Sequence, residues 1–304
     1  MSWFLSSKSS ASKRKPAKRG KSVKSKYEWN PQRTLLGAKI LLGITLVVAT
    51  VMGWRWGESA LLDYATRTRS VQVAADQVEL IDAPTWMGPG VREQVQLTAA
   101  ARITADPMDG QSLRVAALAL AQDPWINRVR QVQRWADGRI TVEADYRQPI
   151  ALVATRDGYR LTDAIGVVLP GLYLEHQIDQ LNLPVITGVL ERTPATGQAW
   201  QSQDVAAGLS LVQTLADEPY ADQIQRYDVS HRDARGRVRL VLHTATGMVR
   251  WGLPPGLEQS IEPTAQVKRS WLRHVAQTRG TIDAGGKVVD VYGARIAVYQ
   301  PDFE

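Results

Sequence analysis

The chain has no cysteine in 304 residues. Disulfide frameworks and thiolate chemistry are therefore excluded, and a domain of this size can bury enough core to fold without them. Histidine is scarce: His176, His231, His243 and His274 are scattered, with no HExxH or His-x-His spacing that would gather a metal. There is no P-loop, no Rossmann glycine pattern and no complete G-x-S-x-G elbow, because Gly208-Leu209-Ser210-Leu211-Val212 lacks the final glycine. An S-x-x-K spacing, Ser10 to Lys13, lies in a basic tail. Asp290 and Glu262 are conceivable as an acid–base pair, but nothing in the sequence brings them together. No catalytic residue, cofactor site or metal site is assigned, and the chain reads as a binding protein rather than an enzyme.

What the chain does have is one long apolar run. Leu35 to Trp54 is twenty residues interrupted only by Lys39, and as a helix it spans roughly 30 Å, the hydrocarbon thickness of a bilayer. Lys39 sits about one turn inside, where its ammonium can reach the headgroups. A soluble core helix of this length would show a polar face, and this one has none. Residues 34–54 are therefore read as a transmembrane helix, with Leu35, Lys39, Leu46 and Trp54 as anchor positions. The run is longer than the h-region of a cleavable signal, so the anchor is expected to be retained.

Residues 1–33 carry ten basic side chains against the single acid Glu28, and the rest of the chain holds 27 basic and 29 acidic residues, a net of −2. All the positive excess lies on one flank of the helix, which places residues 1–33 in the cytoplasm and about 250 residues outside it. The Ser-rich, apolar-poor tail is expected to be disordered. Its charge suits anionic lipid headgroups; with no aromatic interleaved among the basic side chains beyond Tyr27 and Trp29 and no basic excess elsewhere, specific nucleic-acid binding is not expected.

Residues 55–70 read as a polar connector continuing the helix, and Gly53 and Gly57 make one small-xxx-small spacing. An extended segment follows from Val71, VQVAADQVELI, stopped by Asp82-Ala83-Pro84. A helix is expected around Val91 to Ile103. A second, N-capped by Asp109, has Leu113, Ala116, Ala117 and Leu120 on one face. Asn127 to Trp135 and Arg139 to Tyr146 pair across the turn Ala136-Asp137-Gly138, and Ile140, Val142, Ala144 and Tyr146 alternate with polar residues. Residues 71–149 thus form a β-α-α-β-β domain, two helices on one face of a three-stranded sheet.

After Gln148-Pro149, residues 150–304 read as a larger α+β domain, a long sheet partly covered by two helices. One helix is expected at Asp204 to Leu215, with Val205, Leu209 and Val212 buried. The other begins at Pro263 and repeats Val267, Trp271 and Val275 every four residues. Hairpin turns are expected at Arg156-Asp157-Gly158 and Thr244 to Thr246. Lys287 to Val291 and Ala294 to Tyr299 are the final strands.

This order of elements, with Ala121-Gln122-Asp123-Pro124-Trp125-Ile126, Val132-Gln133-Arg134-Trp135, Gln148-Pro149-Ile150-Ala151, Tyr159 to Val168 and Leu183-Pro184-Val185-Ile186-Thr187-Gly188, resembles the bacterial cell-division family FtsQ/DivIB over nearly the whole chain. Departures are Asp82-Ala83-Pro84 in place of a glycine, a long Thr85 to Met108 connection, and Tyr146-Arg147-Gln148 in place of an acidic approach to the proline.

The resemblance implies a POTRA-type small domain and a non-enzymatic divisome scaffold at the division site of the cytoplasmic membrane, partnered by FtsB/DivIC-like and FtsL-like bitopic proteins. It also implies that the last strands pair edge-on with a partner segment. Val291, Tyr292, Arg295, Ile296, Val298 and Tyr299 are the corresponding contact residues, with Ala294, Ile296 and Val298 toward the core and Arg295, Ala297 and Tyr299 outward. Only Gln300 to Glu304 follow, and nothing obvious there covers the edge. The competing class is a membrane-anchored envelope module whose POTRA-like domain binds exported or outer-membrane polypeptides.

Overall fold

The computed structural model describes residues 31–67, 72–259 and 261–300. The basic tail through Asn30, with Ser10 and Lys13, lies outside them. The chain divides into two compact units, residues 1–69 and 70–304, and the described residues hold six α-helices and two sheets.

In the first unit, helix α1 runs Pro31–Arg67. Proline suits the first turn of a helix because its missing N–H would be unpaired there anyway. Within α1, Lys39–Glu58 is long and apolar enough to cross a membrane. That window overlaps the run expected from Leu35 to Trp54, and α1 continues without a break to Arg67. Leu35, Lys39, Leu46 and Trp54 are all exposed on it.

The second unit opens with β1 (Val78–Ile81), α2 (Pro89–Ala100), α3 (Gly110–Leu120), β2 (Ile126–Arg134) and β3 (Ile140–Tyr146). The sheet order is β1-β3-β2, with β1 parallel and β2 antiparallel to β3. The extended reading of 71–81 is corrected: a tight turn at Ala75–Gln77 precedes β1, held by Gln77 Oε1 accepting from the Ala74 N–H (3.3 Å). Asp82, at φ +53°, ends the strand. Asp109 caps α3 by accepting from the Ser112 N–H at 3.0 Å. Ala116 and Leu120 then reach the core, as do Ile140 and Val142 of β3.

The longer sheet has the order β11-β10-β9-β8-β7-β6-β4-β5. Its strands are β4 (Ala151–Thr155), β5 (Gly158–Thr162), β6 (Val185–Thr187), β7 (Arg226–Arg232), β8 (Val238–His243), β9 (Met248–Gly252), β10 (Val288–Asp290) and β11 (Ala297–Tyr299). A one-turn helix α4 (Glu175–Ile178) precedes β6, and α5 (Gln203–Leu215) and α6 (Ala265–Arg279) pack on one face. Gly208 lets α5 lie close to β6, since a Cβ there would stand 2.9 Å from Ile186.

On α6 the expected stripe is corrected. Lys268, Leu272 and Val275 are buried and Val267 is exposed. The helix is turned so that Lys268 Nζ meets Glu262 Oε1 at 2.6 Å and lies 5.0 Å from the Trp251 ring centroid. The pair is buried, with Glu262 only 8% exposed, and burial depresses the lysine pKa against the opposing pull of Glu262.

The chain passes between the sheets at Gln148-Pro149, but the core does not. Ala151 and Val153 join the core under α5 and α6, while Leu152 joins Val95, Leu120, Ile126 and Val142. Strand β4 is therefore buried on both faces. Arg147 and Asp163 pair at 2.8 Å beside this junction, both largely buried.

Candidate partner-binding edge

A sheet that does not close leaves two edges, and each outer strand presents unpaired N–H and C=O groups. At one end, β5 is covered: Tyr159 and Tyr173 exchange both backbone hydrogen bonds (2.8 and 3.0 Å), and the Leu169 N–H donates to the Leu161 carbonyl (2.9 Å). At the other end stands β11, and among the described residues no strand pairs with its outer side.

Register defines what that edge displays. Val249, Val289 and Val298 form one row across β9, β10 and β11 on the face that carries α5 and α6. The first two are buried and Val298 is 46% exposed. The row thus extends one apolar side chain beyond the covered core. On the opposite face, Met248, Val288 and Tyr299 form one row and Arg250, Asp290 and Ala297 the next.

The expected contact residues divide accordingly. Val291 is a correction: it is fully buried, and its N–H donates to the Arg250 carbonyl at 3.1 Å, extending the pairing of β10 with β9. It has no surface to offer. Tyr292 is half-buried, with the Arg239 guanidinium 4.5 Å from its ring centroid. Arg295 is exposed, and so is Ala294, which was expected to face the core. The last strand starts three residues later than expected, so Ala294 and Arg295 belong to the turn that leads into it. Ile296 packs half-buried against the core. Tyr299 lies beneath Arg250, whose Nη1 donates to the tyrosine hydroxyl at 2.6 Å, with 5.5 Å from guanidinium to ring centroid.

The titratable groups on this open face are engaged with one another. Asp290 accepts from the Tyr292 N–H at 3.2 Å, and burial raises its carboxyl pKa. Asp228 lies between His231 and His243, each 3.4 Å from Oδ2. Burial works to raise the Asp228 pKa, but hydrogen bonds from His243 and Ser230 outweigh it and hold the group at about 2. Histidines that the sequence leaves scattered thus share one carboxylate: His243 is brought by antiparallel pairing of β8 with β7, and His231 lies three residues along β7, across a register shift. Among the described residues no group of three or more His, Cys, Asp or Glu side chains could hold a metal ion. Glu262, conceivable from sequence as an acid–base partner of Asp290, is occupied by Lys268 and by the Leu253 N–H (2.8 Å). Comparison with known proteins finds no family model and no curated relative that matches the chain.

Proposed function

We propose that this protein is a non-enzymatic scaffold of the FtsQ/DivIB type, anchored by α1 in the cytoplasmic membrane with its N-terminus inside, that recruits division proteins through its extracytoplasmic part. The observation that carries the reading is the open β11 edge, where one exposed apolar side chain, Val298, continues a buried valine row. An extended segment of an FtsB/DivIC-like bitopic protein, itself joined to an FtsL-like one, would add a strand there. Backbone hydrogen bonds would supply affinity, and burial of Val298 between the incoming strand and the core face would set the register. The β-α-α-β-β order of the small layer supports a POTRA-type assignment, and the basic N-terminal segment suits anionic lipid on the cytoplasmic leaflet.

The reading is tested by fusing a fluorescent protein to the N-terminus and imaging dividing cells. A band at the division site is expected. Uniform membrane fluorescence through the cell cycle would sink the scaffold role and favour a general envelope module.

A further inference from the structure

Beyond the edge itself, we infer that two arginine–tyrosine stacks, with Gly252 as the seat of one of them, are a positioning device that holds β11 extended and ready to accept a partner strand; this rests on the strand-addition reading. A three-residue outermost strand is short for a stable edge and would fray if only its backbone held it. Here it is held at both ends of the segment. Tyr292 lies against Gly252, at φ +95°, where a Cβ would stand 2.5 Å from the Tyr292 Cβ and 2.2 Å from Glu262 Oε1. Only glycine admits both neighbours.

Above the Tyr292 ring sits Arg239, whose Nε is buried without a hydrogen-bond partner. A buried donor left unmade is costly and calls for an explanation. The geometry supplies one: the guanidinium is placed for the ring rather than for an acceptor. Seven residues after Tyr292, Tyr299 repeats the arrangement under Arg250, which adds a hydrogen bond. Leu240 and Leu242 point into the core under the helices, so Arg239 stands on the opposite face, as does Arg250. Both stacks therefore lie on the side of the sheet away from α5 and α6, and the turn at 293–296 is pinned between them. A strand ordered in advance spares its partner part of the ordering cost on binding.

Hydrogen–deuterium exchange on the full chain in nanodiscs tests this without any partner. In Tyr292→Ala and Gly252→Ala, peptides covering 294–300 are expected to exchange about tenfold faster than in the wild type. Peptides from β7 and β8 should be unchanged, and Tyr292→Phe, which keeps the ring, should retain wild-type protection. Unchanged exchange over 294–300 in Tyr292→Ala overturns the inference. If Gly252→Ala fails to fold, visible as loss of protection in β7 and β8, Tyr292→Ala carries the test alone.

A photo-crosslinker at Val298 separates the device from the reading beneath it. Faster exchange with reduced cross-linking supports the inference, and faster exchange with undiminished cross-linking overturns it. No cross-link even in the wild type would instead mean that the strand-addition reading has failed.

Discussion

Lys268 carries the most consequential single charge in the fold. It is fully buried, contacts Glu262 and the Trp251 face, and fixes how α6 rotates onto the sheet. Removing one member of such a pair strands the other in a low-dielectric site, so Glu262→Gln is expected to cost about 3 kcal/mol or more in urea unfolding. The paired replacement Lys268→Met with Glu262→Leu should cost much less. Equal losses in the single and double variants would show that the ion pair does not orient the helix. Asp228 makes a pH prediction. Its folded pKa of about 2 lies below the ordinary 3.8, so its stabilisation is fully present above the ordinary value and is lost as pH falls from about 4 to about 2. Wild type should exceed Asp228→Asn by about 2 kcal/mol at pH 7, and the gap should shrink to about 0.4 kcal/mol at pH 2 and close below it. A gap independent of pH would contradict the pairing with His231 and His243.

At the scale of elements, α5 depends on its first turn and on one close approach. Ser202 Oγ accepts from the Asp204 and Val205 N–H groups (3.2 and 3.4 Å) and donates to Glu191 Oε2 (2.7 Å). Ser202→Ala should therefore cost about 1–2 kcal/mol. Gly208→Leu should cost about 1–3 kcal/mol by forcing α5 away from Ile186. Both are read from thermal unfolding; a neutral Gly208→Leu would refute the tight seating of the helix.

Elements whose pattern matched their environment were legible in the sequence. Strand β3 alternates strictly, and α3 carries its own cap and apolar stripe, so both were recoverable. The α6 stripe was misread because a buried lysine is indistinguishable from a surface one until its partner is known. The three residues leading into β11 are not legible as a turn because a turn pinned by side chains from β8 and β9 leaves no local signal. β7 went unread because its Arg, Asp and His residues form their cross-strand contacts only once β8 is beside it.

For the whole molecule, composition alone identified a membrane-length helix, since hydropathy over twenty residues needs no tertiary information. The two sheets share core residues across Gln148-Pro149, with Leu152 and Leu161 packed among the side chains of the smaller layer. Residues 70–304 are therefore expected to unfold in one step, with tryptophan fluorescence and far-ultraviolet dichroism giving coincident urea transitions. Separate transitions would mean that the layers are independent domains. A fragment beginning at 150 should fail to fold, because it exposes the apolar face that the smaller layer covers.

The most direct test of the central claim is photo-crosslinking from Val298 in dividing cells, with Leu118 on α3 as the control position. The account predicts an adduct with a small single-pass membrane protein from position 298 only, abolished by a proline at 297. An equal adduct from both positions, or one that persists when proline blocks the edge, would contradict it.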